Sequence, residues 1–322
     1  MFESLRSVAI TALLAAGVAA CESQSGSGPG PQVPDPAQPV ETAEPTPEPP
    51  PSATPALTGS RIPLTHTNLF LPEGAGPSAR VPFILLLHGR GNSGEGTVQQ
   101  LVFNELARRR RFAFVAPDGT TSVTAGRFWN GWAACCDFDQ VKPDHVFLLG
   151  EILREVATNP AIDPKRIYVL GYSNGGFMAH RLACELPGIA AIASIAGSGP
   201  GEGEVCRPKA PVAILQVHGD ADTAIRYGGG PAAGSPSQIQ HPGAEAVVAA
   251  WAARNGCGTT PEPPKPLDFE PELNGDETLV TRYPGCKRDT ELWRVKGGGH
   301  LLALKWPALE QVLAFLERQH TN

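Results

Sequence analysis

The chain has 322 residues, with 26 Lys+Arg against 32 Asp+Glu and a formal net charge of −6. That length accommodates one large domain or two small ones around a substantial buried core. The weakly acidic balance argues against nucleic acid as the main partner, because phosphate binding needs a clustered basic surface.

Residues 1–20 hold Arg6 and then an apolar run from Val8 to Ala20. At 13 residues the run is too short to cross a hydrocarbon core of roughly 30 Å as a helix. It suits the apolar region of a secretory signal peptide. Val18-Ala19-Ala20-Cys21 resembles a bacterial lipobox, in which the cysteine is lipidated and becomes the first residue of the mature protein. The alternative is an ordinary signal peptide cleaved near Ala20, with Cys21 incidental. Membrane association is expected only through this anchor.

Residues 21–60 show no apolar periodicity, and eleven prolines fall between Pro29 and Pro55. Proline fixes φ and removes a donor, so a disordered, extended linker is expected. The linker carries Glu22, Asp35, Glu41, Glu44 and Glu48 and no base. Glu3 and Arg6 cancel, so residues 61–322 carry a single net negative charge. The acidity of the whole chain therefore says little about its substrate.

From residue 61 onward, short apolar runs alternate with amphipathic stretches. Phe83 to Leu87 is continuously apolar, as a strand buried on both faces requires. Helix is predicted over 97–110, ending in the basic run Arg108 to Arg111, which reads as a C-terminal cap and solvated face. A strand follows at 112–116, a helix at 145–158, a strand at 167–170 and a helix at 174–186. Strands at 190–195 and 212–217, a helix at 243–255, strands near 279–283 and 291–295, and a helix at 307–319 complete the pattern. Such alternation predicts an α/β domain over 61–322, a mostly parallel central sheet with helices on both faces. Segments 228–243 and 258–277 read as loops; the first either borders a substrate cleft or is a tolerated insertion.

Gly171-Tyr172-Ser173-Asn174-Gly175-Gly176 joins the strand ending at Leu170 to the next helix. A serine hydroxyl becomes a useful nucleophile when it is exposed, held and deprotonated by a nearby base. A sharp strand-to-helix turn supplies the first two, and the helix N-terminus behind it faces developing negative charge. Ser173 is the candidate nucleophile. The strand at 212–217 runs into His218-Gly219-Asp220-Ala221-Asp222, which offers Asp220 or Asp222 to orient a base. The base candidate is His300, which follows Gly297-Gly298-Gly299 at the end of a strand. His88 and His218 read as structural, His180 as a surface residue. The oxyanion donors are expected to be the backbone N–H of Asn174 and, from the glycine loop after the first core strand, that of Arg90. Trp129 and Trp132 in Phe128-Trp129-Asn130-Gly131-Trp132 read either as an acyl or aromatic platform or as core.

Together these pieces resemble the secreted poly(3-hydroxybutyrate) depolymerase and feruloyl esterase group, α/β-hydrolases of carbohydrate esterase family one. The resemblance covers roughly residues 80–318. It rests on Leu87-His88-Gly89, Ala116-Pro117-Asp118-Gly119, Phe128-Trp129-Asn130 with Cys135-Cys136, and Ile162 to Val169. It continues through Gly171 to His180, His218 to Asp222, and Gly297 to His300. It implies the α/β-hydrolase fold and a serine esterase working through an acyl-enzyme, with Ser173, Asp222 and His300 as triad and an ester as partner. The stretch Leu301 to Pro307 departs from the His-Thr-Trp-Pro common in that group, so the cleft rim differs there. The competing readings are a tethered binding protein that has lost turnover and a serine peptidase on the same fold.

Setting Cys21 aside leaves six cysteines, an even number that suits disulfides in an exported protein. Cys257 with Cys286 is the favoured pair. Cys184 is expected to pair with Cys206, or either with Cys135 or Cys136. No zinc spacing, phosphate loop or dinucleotide fingerprint is present, so neither metal nor cofactor is expected.

Overall fold

The apolar run at Phe83 forms the centre of β3 (Val81–Leu87), in which every residue is buried. Val81, Phe83, Leu85 and Leu87 join the core on one side of the sheet, and Ile84 and Leu86 the core on the other. The period of two along a strand thus feeds two cores at once. This computed structural model describes residues 59–321 except positions 125, 202, 237 and 305. The expected signal peptide, Cys21 and nearly all of the linker lie outside the described residues.

Before β3 come β1 (Gly59–Pro63) and β2 (Asn68–Pro72). After it follow α1 (Gly94–Gln100), α2 (Phe103–Arg110), β4 (Ala113–Val115), and the short hairpin of β5 (Thr120–Ser122) and β6 (Gly126–Phe128). Next are α3 (His145–Ala157), β7 (Ile162–Tyr172), α4 (Asn174–Glu185), β8 (Ala191–Ile195) and β9 (Ala213–Gly219). A two-residue pair, β10 (Gly229–Gly230) with β11 (His241–Pro242), precedes α5 (Ala244–Arg254). The chain closes with β12 (Lys265–Leu267), β13 (Thr278–Arg282), β14 (Thr290–Val295) and α6 (Trp306–Glu317).

Ten strands form one sheet in the order β1-β2-β4-β3-β7-β8-β9-β14-β13-β12. The six from β4 to β14 are parallel, and the two strands at each margin are antiparallel. Apolar residues of α3, α4 and α5 pack on one face, those of α1, α2 and α6 on the other. The architecture is that of an α/β hydrolase. Because β3, β7, β9 and β14 are parallel, their C-terminal ends open on one edge of the sheet, where ligands of such folds bind.

The helix expected over 97–110 is two helices. Leu101 and Phe103 are both buried in the same core, while Val102 between them is 57% exposed. One continuous helix places positions i and i+2 on opposing sides. The chain instead breaks at Val102, which takes φ 49°. The basic run after it is largely neutralised. Arg108 and Arg109 pair with Glu105, Arg110 with Glu310 and Glu317, and Arg111 donates to the Glu73 carbonyl. Strands β1 and β2, the β5–β6 hairpin and β12 were not foreseen, all being short and lacking a long apolar run.

Disulfides join Cys257 to Cys286 and Cys184 to Cys206, as expected, but Cys135 and Cys136 bond to each other. In the chain-entropy account a closure such as Cys257–Cys286 stabilises by about 3–4 kcal/mol.

Candidate active site

Ser173 sits between the end of β7 and the start of α4 with φ 53° and ψ −117°. The glycines around it are there for space. A Cβ on Gly171 would lie 2.1 Å from the Gly175 carbonyl oxygen, and one on Gly175 would lie 2.3 Å from that of Leu87. The turn is held by core packing on both sides, so the serine keeps a backbone conformation that side chains rarely adopt. Its Oγ lies 2.9 Å from His300 Nε2.

His300 follows β14 on the loop whose turn is tied down by Asp220. The Asp220 carboxylate accepts from Gly297 N–H and from the Arg294 guanidinium. On its other nitrogen, His300 Nδ1 donates to Asp222 Oδ2 at 2.8 Å. The two carboxylates after β9 are therefore divided between tasks, Asp220 shaping the loop and Asp222 facing the imidazole. The second oxygen, Asp222 Oδ1, accepts from the Ala224 and Ile225 amides, each at 2.8 Å. Burial alone would raise the Asp222 carboxyl. The hydrogen bonds from His218 and His300 outweigh it and hold the group well below the ordinary carboxylate range. Tyr172 reaches from the residue before the serine to donate to the His300 carbonyl.

Gly89, Arg90, Ser173 and His300 line a cavity of about 280 Å³, with Cys135, Cys136, Ala232, Ala233 and Leu301 in its wall. The disulfide between adjacent cysteines thus borders the cavity. Ala232 and Ala233 bring the loop 228–243 to the cleft, and Leu301, 79% exposed, stands at its rim. Asn174 begins α4, so its amide has no carbonyl to meet within the helix. Its side chain clasps the Trp129 backbone, accepting from the N–H at 2.6 Å and donating to the C=O at 2.8 Å.

The aromatic platform does not hold for Trp129, which is fully buried and donates its indole N–H to the His88 carbonyl. It buttresses the glycine loop from behind. Trp132 faces a neighbouring cavity lined by Phe138, Lys142 and Arg181, and does not line the one that holds Ser173. His88, fully buried, donates from Nδ1 to the Gly89 carbonyl and accepts from Gly119 N–H at Nε2. His180, read as a surface residue, is also fully buried. His145 carried no context in the sequence, yet it is buried and accepts from Asn130 N–H.

Burial lowers His145 and His180 to about 4. In the unfolded chain both titrate near 6.5. The unfolded state therefore takes up protons first, and stability falls as pH drops from about 6.5 toward 4. The melting temperature is expected to be level above pH 7 and to drop steeply between pH 6 and 4. His180→Asn should make that slope shallower, as melting curves across the range would read.

The sequence profile described as phospholipase/carboxylesterase matches residues 75–235, half of the chain. The chain belongs to this family. Feruloyl esterase B of Piromyces equi is 30% identical over 184 residues, 54% of this chain and 31% of that protein. The poly(3-hydroxybutyrate) depolymerase of Ralstonia pickettii is 31% identical over 138 residues, 39% of this chain and 27% of that one. The chain spans less than half the length of the first of the curated relatives it matches. Among solved structures, the acetyl xylan esterase from Aspergillus awamori superposes with a TM-score of 0.55 at 12% identity, over 80% of this chain and 98% of that one. That likeness is one of fold.

Proposed function

We propose that the protein is an exported serine esterase that hydrolyses carboxylic esters through an acyl-enzyme on Ser173. The observation that carries this is the unbroken run from Asp222 through His300 to Ser173, at 2.8 and 2.9 Å, above a strained turn beside a cavity. Ser173 Oγ attacks the ester carbonyl carbon while His300 Nε2 takes its proton. The oxyanion that forms accepts from the backbone N–H groups of Asn174 and Arg90. His300 then returns the proton to the departing alcohol, and a water repeats the sequence to release the acid. Asp222, anionic and buried, keeps the imidazole in the Nδ1–H tautomer and stabilises its transient charge.

Relatives named feruloyl esterase and poly(3-hydroxybutyrate) depolymerase support a substrate among hydroxycinnamoyl or hydroxyalkanoate esters. The test is a panel of methyl ferulate, 4-nitrophenyl acetate and 3-hydroxybutyrate oligomers. Saturable turnover of at least one supports the reading, and turnover of none, with peptides cleaved instead, contradicts it. Three disulfides suit an oxidising compartment. The lipobox reading adds a membrane anchor at Cys21, and a mature N-terminus without lipid there would end it.

A further inference from the structure

Behind Asp222 lies a buried polar chain whose members take no direct part in the proposed proton transfers. Trp251 in α5 donates its indole N–H to His180 Nδ1 at 3.0 Å. His180 Nε2 and Gln216 Oε1 are 2.9 Å apart. Gln216, in the middle of β9, has its Nε2 at 2.9 Å from the Gly197 carbonyl and 3.2 Å from His218 Nδ1. His218 Nε2 in turn meets the Ile225 carbonyl at 2.6 Å and Asp222 Oδ2 at 3.3 Å. Trp251, His180, Gln216 and His218 are each 1% exposed or less.

The direction of every bond follows from its ends. An indole nitrogen only donates, so His180 Nδ1 must accept and its proton must sit on Nε2. That proton needs an acceptor, which turns the Gln216 amide oxygen toward His180 and its NH₂ toward Gly197 and His218. The Gly197 carbonyl independently demands the same amide orientation, since the flipped one would oppose two oxygens. His218 Nδ1 therefore accepts and Nε2 carries the hydrogen, as the Ile225 carbonyl also requires. Every donor and acceptor in the chain is used, and a buried polar network in that state holds a single arrangement.

We infer that His180, Gln216 and His218 are positioning residues, a tautomer lock that presents one N–H of a neutral His218 to Asp222 and thereby keeps Oδ2 fixed and anionic opposite His300. Asp222 then meets three direct donors, two amides on Oδ1 and His300 on Oδ2, while the Nε2–H of His218, bonded to the Ile225 carbonyl, lies 3.3 Å from Oδ2 as a weaker shared contact. Part of this chain comes from α5, more than 20 residues beyond Asp222 in sequence, so the orientation of the acid is tied to the packing of a helix that never borders the cavity.

The kinetic arm of the test rests on the esterase reading; the spectroscopic arm does not. Ring ¹⁵N NMR of the wild-type protein at neutral pH should show His180 and His218 as Nε2–H tautomers and His300 as Nδ1–H. Gln216→Glu keeps shape and acceptor but has no N–H for His218. The variant should put a proton on His218 Nδ1 and lower kcat at least tenfold, with KM within about twofold. Wild-type His218 protonated on Nδ1 would overturn the lock even if the variant fails to fold. So would a folded Gln216→Glu whose introduced carboxyl is ionised, as its ¹³C shift reads, and whose His218 signals are unchanged, whatever its kcat. If the wild type turns over no ester, the esterase reading fails while the tautomers still decide the lock.

Discussion

Ser173→Ala is expected to lower kcat/KM for 4-nitrophenyl acetate by at least ~10⁴-fold while leaving the melting temperature within a few degrees of wild type. The two halves of that expectation come from different properties of the site. Ser173 Oγ makes a single side-chain hydrogen bond, to His300, so its loss exposes no new surface and leaves only an imidazole nitrogen to be met by water. The strained backbone at φ 53° is imposed by the surrounding glycines and by the Ser173 N–H bond to the Ile195 carbonyl, and alanine meets the same constraints. Chemistry, by contrast, has no substitute: of the hydroxyls lining the cavity (Thr97, Tyr172 and Ser173), the one hydrogen-bonded to an imidazole nitrogen of His300 is that of Ser173. A comparison of steady-state rates and thermal melts for the two proteins checks both parts.

The second large effect is expected at Asp222→Asn, a drop of roughly 10³- to 10⁴-fold in kcat. The substitution changes two atoms, and the structure dictates which way they face. Oδ1 accepts two backbone amides, so the asparagine oxygen must occupy that position. The new NH₂ then points at His300 Nδ1 and at His218 Nε2, both of which present hydrogens. His300 can relieve the clash only by moving its proton to Nε2, where it opposes the serine hydroxyl and cannot accept its proton. A loss of less than tenfold would mean that the acid does not set the tautomer. Asp220→Asn, which disturbs the loop through Arg294 and Gly297 but not the imidazole directly, is expected to cost far less.

The fold, and Ser173 and His300 as candidates for nucleophile and base, were legible in the sequence because each depends on local chemistry. Buried parallel strands read as continuous apolar runs, and a nucleophile turn announces itself by Gly171 and Gly175, whose missing Cβ atoms leave room for neighbouring carbonyls. The choice between Asp220 and Asp222 was open from residues alone, since both follow the same strand and differ only in what later folds against them. His180 and Gln216 were beyond sequence reasoning for a related reason. Neither carries a local signature, and each acquires its place only when α4, α5 and β9 pack together. Trp129 stayed open between platform and core because an indole beside a candidate site suits a platform and a buttress equally well. What separates them is the burial of the ring and its N–H bond to the His88 carbonyl, a contact 41 residues away in the chain. The break at Val102 shows the same limit on a smaller scale, local propensity continuing a helix that the core divides.

Everything proposed for catalysis at this site requires Ser173 to form a covalent acyl intermediate with the help of His300. Intact-mass and peptide mass spectrometry after treatment with a fluorophosphonate tests it most directly, since such reagents phosphonylate an activated serine and spare ordinary ones. A single adduct on the peptide containing Ser173, absent in Ser173→Ala and strongly slowed in His300→Ala, is the predicted result. An unmodified wild-type protein, or an adduct that persists in Ser173→Ala, would contradict it.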